Sequence, residues 1–257
     1  GEYKFEPLDK RENFHGNILI YINWEKHLMF CAPVCVPLSP DMPFGALVSE
    51  LLPNVYSAHP EFEKIDWAKV ASNKSPKIQF AYIRSTMGSD GIDTAFTYNF
   101  KNAQKNNINV GVYHYYRPNE KALKQFQNFK KNNKNIGTLP PVLDIEEKST
   151  FKIKKLRSEL LIFLKLIEEE YKTKPIVYTH QKFYNLYLRT HFYEYDFWIA
   201  RHNGIKDKPK NNSLQKEPFL IDKTCPLIWQ YSENGLINGV NGYVDLNIAN
   251  NVFWDIK

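Results

Sequence analysis

The sequence predicts an α/β fold in which a mainly parallel sheet is covered by helices, and three observations lead there. From about residue 65 onward, short β-rich apolar runs alternate with amphipathic helical patterns, the rhythm of repeated strand and helix units. The chain has 257 residues, a length that suits one large α/β domain of barrel size. Its 43% apolar and 24% charged residues are ordinary for a globular protein and exclude a disordered, collagen-like or membrane-bundle chain.

Taken in order, residues 17–22 read as a strand and 28–43 as a Pro-rich apolar connection that must pack on something. Residues 1–43 are therefore assigned to an N-terminal elaboration of the same domain, and 44–257 to the barrel-like domain itself. Strands follow at 79–84, 109–115, 141–146 and 175–179, each apolar and rich in β-branched or aromatic residues. Between them Phe96, Phe100 and Ala103 share one helical face, as do Ala122, Phe126 and Phe129. The clearest helix runs from about 153 to 171, where Leu156, Leu160, Phe163, Leu164, Ile167 and Tyr171 form an apolar stripe with Lys and Glu opposite. Later apolar runs at 196–200, 226–231 and 243–248 have no long helices between them, so the barrel becomes irregular in its last third.

Several classes drop out on composition. The longest apolar stretch, 28–38, contains Pro33 and Pro37 and is far short of the roughly 20 residues of a membrane span. Lys+Arg exceed Asp+Glu by 34 to 28, a net charge of +6 that favours anionic surroundings. The basic runs at 130–135 and 206–210 interleave Lys with Asn and lack aromatics in register, so they read as solvated faces, and no nucleic-acid partner is expected. Cys31, Cys35 and Cys225 are an odd number, which excludes a disulfide framework while leaving one pair open. Without a paired His motif they do not make a zinc site, and neither metal nor cofactor is expected. No leader is visible at the start.

Chemistry concentrates at 139–147, where an apolar strand ends in Asp144, Glu146 and Glu147. Asp144 and Glu146 are two apart, so on a strand both point to one face, which at the C-terminal end of a parallel strand is where barrel enzymes react. Two partly buried carboxyls raise at least one pKa, the condition for a general acid at neutral pH. The alternative is an N-cap and first-turn acid for the following helix, which explains Glu147 better than Asp144. Asp245 interrupts another apolar strand, and three acids around one pocket suit glycoside hydrolysis.

These pieces, in their order, resemble the glycoside hydrolase family 25 muramidases, the Chalaropsis-type lysozymes. The likeness spans about residues 65 to 250 and rests on Ile65-Asp66-Trp67, the strand Phe80 to Thr86, Phe96 and Asn99, Val110 to Tyr115, Leu139 to Glu146, Pro175 to Thr179, Phe197-Trp198-Ile199-Ala200, Trp229-Gln230-Tyr231 and Val244-Asp245-Leu246-Asn247. The resemblance implies an irregular TIM-like (β/α) barrel of about (β/α)5 plus three further strands. It further implies cleavage of the β-1,4 bond between N-acetylmuramic acid and N-acetylglucosamine, by a monomer secreted or held in the cell envelope and acting on peptidoglycan glycan strands. Glu146 takes the place of the general acid, Asp144 of its partner that steers the substrate N-acetyl group, and Asp245 of a third acid. Tyr113, Tyr178, Trp198, Trp229 and Gln230 take places lining the cleft, although each aromatic would equally serve core packing. The family's first-strand motif Gly-Ile-Asp-Val-Ser finds its best match at Gly45-Ala46-Leu47-Val48-Ser49, with Leu47 where the acid stands, and Met87 replaces a Glu. The competing expectation is a cell-wall-binding pseudo-enzyme that uses the same cleft.

Overall fold

The computed structural model describes residues 64–202 and 217–255, together with the backbone of two strands at 18–22 and 34–38. The chain divides into two compact units, Gly1–His59 and Pro60–Lys257, whereas the sequence reading placed its boundary at 43/44.

In the first unit β1 (Ile18–Ile22) pairs antiparallel with β2 (Val34–Leu38), Leu19 lying opposite Pro37. β1 falls where the sequence places a strand, while β2 lies within the stretch read as a Pro-rich connection. Proline is compatible with a two-stranded ladder because each strand keeps an unpaired edge on which no amide donor is required.

The second unit begins with α1 (Trp67–Ser72), capped by the Asp66 side chain, and continues into β3 (Phe80–Met87) and the short β4 (Gly91–Ile92). Then follow α2 (Phe96–Lys105), β5 (Asn109–Tyr115), α3 (Ala122–Asn132), β6 (Val142–Asp144), α4 (Ile153–Tyr171) and β7 (Ile176–His180). After a short helical segment, Gln181–Phe183 and Tyr184–Leu188, come β8 (Phe197–Ala200), β9 (Ile228–Gly235), β10 (Val244–Ala249) and a closing 3₁₀ turn, Asn251–Asp255. The strands form one curled sheet in the order β10-β9-β8-β7-β6-β5-β3-β4. β3, β5, β6, β7, β8 and β9 run parallel, and β4 and β10 are antiparallel edges. Among the described residues three long helices cross between the parallel strands, the connection after β7 is short, and β4 and β10 do not pair with each other, so the sheet is a curled half-barrel of mixed α/β type.

The apolar stripes act as their spacing requires. Phe96, Phe100 and Ala103 of α2, Ala122, Phe126 and Phe129 of α3, and Leu156, Leu160, Phe163, Leu164 and Ile167 of α4 are buried. They pack with Val110, Val112, Leu143, Val177, Phe197 and Ile199 on the outer face of the sheet. The inner face has its own apolar cluster, which includes Val142, Ile176, Trp198, Ile228 and Phe253, with Phe80, Tyr82, Tyr113 and Tyr178 packed against it. Period-two alternation thus splits each strand between two cores. The Phe80 ring centroid lies 5.0 Å from that of Phe253, so the 3₁₀ turn plugs the inner face at the start of β3.

One buried polar cluster locks β3 to β5 on the outer side. Thr86 Oγ1 lies 2.8 Å from His114 Nδ1, and His114 Nε2 lies 3.2 Å from Gln125 Oε1. Gln125 Nε2 donates to the Arg117 carbonyl, so its Oε1 is the acceptor and His114 Nε2 carries the proton. Desolvation lowers the His114 pKa to about 3, and the ring stacks on Phe163 as a neutral imidazole.

Candidate active site

Following each parallel strand toward its C-terminal end, the inner face changes character in tiers. Its first part is an apolar cluster in which Phe80, Val142, Ile176 and Ile228 pack with Tyr82, Tyr113, Tyr178 and Trp198. Two residues further along their strands stand Arg84, Tyr115, Asp144, His180, Ala200 and Gln230. The same alternation that buries Val142 therefore turns Asp144 into the barrel, and the β6 ladder ends there.

Asp144 is 6% exposed, and its Oδ1 has no hydrogen-bond partner among the described residues. Burial pushes its carboxyl well above the ordinary carboxylate range; the charges of Glu146 and, less strongly, Asp245 push the same way, and Arg84 opposes them. Arg84 is itself buried and lies 3.7 Å from the Asp93 carboxylate. Glu146, just past the strand and half-buried, is raised to about 7, first by desolvation and then by Asp245 and Glu147, with His202 pulling the other way. Asp245 on β10 is also raised, by desolvation and by Glu233, while His202 and a hydrogen bond from Gln230 lower it. Asp245 is the most exposed residue of the three, so burial costs its charge the least. The structure brings Asp144, Glu146 and Asp245 within electrostatic reach of one another, although about 100 positions separate the last from the first two.

The expected lining residues fare differently. Tyr178 Oη donates to Gln230 Oε1 at 2.8 Å, and Gln230, 3% exposed, is the buried hub between Tyr178 and Asp245. Tyr113 lies on the inner face between Arg84 and Val142 in the strand register. Trp198 is 7% exposed, its ring 5.2 Å from both Tyr82 and Tyr178 and its Nε1 donating to Asn247, so it supports the floor without offering an open face. Trp229 departs from the expectation. Alternation along β9 turns it to the outer side from Gln230, and its Nε1 donates to the Arg201 carbonyl at 3.1 Å.

Four residues that the sequence reading did not single out belong to this constellation. Arg84, His180 and His202 continue the inward parity of Tyr82, Tyr178 and Trp198, a signal that period-two counting past the strand ends would have found. His180 Nδ1 accepts from the Phe183 amide, and the ring also hydrogen-bonds the Glu146 backbone. Glu233, the fourth, sits on irregular β9 and carries no such signal. Leu47, Cys31 and the side chain of Cys35 lie outside the described residues, and Cys225 is a free, exposed thiol. Among the described residues no His, Cys, Asp or Glu group is arranged to hold a metal ion.

The model of the glycosyl hydrolases family 25 matches residues 60–240, which contain β3 through β9 and the Asp144 and Glu146 positions. The chain belongs to glycosyl hydrolase family 25. YegX of Escherichia coli K12 is 31% identical over 198 residues, 76% of this chain and 68% of the relative. A family 25 glycosyl hydrolase from Bacillus anthracis superposes with a TM-score of 0.61 at 30% identity, covering 72% of this chain and 82% of that one. The lysozyme of Streptomyces coelicolor gives 0.63 at 26% identity, covering 76% and 90%. The N-terminal part carries a different likeness: a phenol hydroxylase model matches residues 9–93. DmpO, the oxygenase component of phenol 2-monooxygenase from Pseudomonas sp. CF600, is 32% identical over 93 residues, 36% of this chain and 78% of the relative. The two family matches overlap at 60–93, where Asp66 caps α1 and β3 begins the family 25 sheet.

Proposed function

We propose that the Pro60–Lys257 unit is a muramidase that hydrolyses the β-1,4 bond between N-acetylmuramic acid and N-acetylglucosamine in peptidoglycan. The observation that carries this reading is Glu146, a half-buried carboxyl raised to about 7, beside the buried Asp144 with its unpartnered Oδ1. The two carboxyls retain a proton between them at neutral pH. In the reactive arrangement that proton sits on Glu146, which stands toward solvent where a glycosidic oxygen arrives, while Arg84 favours a charged Asp144.

Glu146 gives its proton to the leaving oxygen as the bond to C1 breaks. The substrate acetamido oxygen bonds to C1 in its place, and Asp144 Oδ1 accepts the acetamido N–H whose positive charge grows. Water then attacks C1 as the C1 bond to the acetamido oxygen breaks and restores the amide, and the water proton goes to Glu146. Tyr178, level with Asp144 in the strand register, and Tyr113, level with Val142, present ring and hydroxyl to the sugars, with Gln230 fixing Tyr178. The net charge of +6 favours adsorption to anionic envelope polymers, in keeping with a secreted or envelope-held monomer.

The test is digestion of purified sacculi with identification of the new reducing end by mass spectrometry. New N-acetylmuramic acid ends that disappear in Glu146→Gln support the reading; N-acetylglucosamine ends or free stem peptides reject it. A second reading is a wall-binding protein without turnover, motivated by the best local match to the family's first-strand motif, Gly45 to Ser49, which carries Leu47 in place of the acid and precedes the residues that the family model matches. Sacculus binding with no new ends would select it.

A further inference from the structure

Two residues at the mouth of the site, His202 and Glu233, have no place in that mechanism. His202 lies two residues beyond the end of β8, with Nε2 2.8 Å from Gln230 Oε1 and Nδ1 3.2 Å from Glu233 Oε2. Gln230 hydrogen-bonds Asp245 through its side chain, and its Oε1 already accepts from Tyr178. That oxygen can only accept, so the His202 nitrogen facing it is a donor. The carboxylate at the other nitrogen is an acceptor as well. An imidazolium satisfies both contacts, whereas a neutral ring sets a bare nitrogen against a carboxylate.

We propose that His202 is a positioning residue which, clamped between Gln230 and Glu233, orients the Gln230 side chain toward Tyr178 and Asp245 and acts with Glu233 as an opposed pair of charges on Glu146. The proposal rests on the muramidase reading and assigns that site its control element. Glu146 is faced by Asp144 at the end of β6, Tyr115 on β5, Tyr178 and His180 on β7, Asp245 on β10, Glu147 beside it, and His202 with Glu233 from the β8 and β9 side. Of these last two, the cation favours the ionised and the anion the protonated form of Glu146. The pair therefore works in both directions around a group whose protonated form gives up the catalytic proton.

The experiment compares His202→Gln and Glu233→Gln with the parent in sacculus hydrolysis across pH. His202→Gln retains an N–H donor that can serve Gln230 Oε1 while removing the charge, so it separates the charge from the hydrogen bond. His202→Gln is expected to move the alkaline limb of kcat/KM upward and Glu233→Gln downward, each by about half a pH unit, the size of one charge acting across a partly solvated site. A change in rate with both limbs unmoved, displacement of only one limb, or displacement in the same sense overturns the proposal. The Glu146 carboxyl is also titrated by ¹³C NMR in the same three proteins, with Glu146→Gln identifying the resonance. Opposite shifts of that titration in a protein that does not cleave sacculi uphold the charge pair while the muramidase reading fails, and absent shifts in an active enzyme reject the charge pair alone.

Discussion

The sharpest consequence of the Glu146 environment is the alkaline limb of the reaction. An ordinary glutamic acid near 4.5 is about 3% protonated at pH 6, whereas a carboxyl at about 7 is about 90% protonated, a gain of roughly 30-fold in the competent acid. Initial rates of soluble glycan release from sacculi at constant ionic strength should therefore give a bell-shaped kcat/KM, its acid side set by protonation of Asp144, whose carboxyl burial raises, and its alkaline side by Glu146. Above pH 7 it should fall about tenfold per unit. Glu146→Gln removes the titrating proton while keeping the shape, and should lower the rate by about 10² to 10⁴ at pH 6 and abolish the limb. A parent whose kcat/KM at pH 8.5 stays within about twofold of its value at pH 6 would refute the assignment. So would a Glu146→Gln protein that retains the limb.

The remaining predictions concern stability and support of the site. Glu146 is raised on folding, so its contribution is fully present below the unfolded pKa of about 4.5 and is lost as pH rises through about 7. Glu146→Gln should therefore raise Tm at pH 8 relative to the parent by more than at pH 4, with an upper bound of about 3 kcal/mol before discounting for partial exposure. His114 has the opposite sign: its folded pKa of about 3 lies below the unfolded value of 6.5, so stability is full above pH 6.5 and falls as pH drops toward 3. Urea unfolding should show a loss of about 2 kcal/mol from this group between pH 8 and pH 5, and His114→Gln should flatten that slope. Gly137 has φ +89°, and an added Cβ would collide with the Val110 carbonyl, so Gly137→Ala should cost about 2 kcal/mol or more by denaturant titration. Tyr178→Phe removes a donor to Gln230 and should raise KM more than it lowers kcat, read in the same sacculus assay.

The sequence by itself determined what local periodicity can encode. The 3.6-residue stripe of 153–171 became α4 with its apolar side buried, and the runs at 109–115 and 175–179 became β5 and β7, because each pattern has one way to hide its apolar face. That Asp144 and Glu146 stand at the end of an apolar strand was legible for the same reason. Alternation also says that Trp229 and Gln230 face opposite sides, but not which side is the barrel interior; the partners of β9 decided that, and put Gln230 inside. Trp198 was visible as an aromatic on a strand, yet only packing against Tyr82 and Tyr178 fixed it as floor. Asp245, His202 and Glu233 come to Glu146 from strands far along the chain, and the pKa of a carboxyl depends on who surrounds it in space. Desolvation and Coulomb interaction act through distance and exposure, quantities that exist only once the sheet has curled.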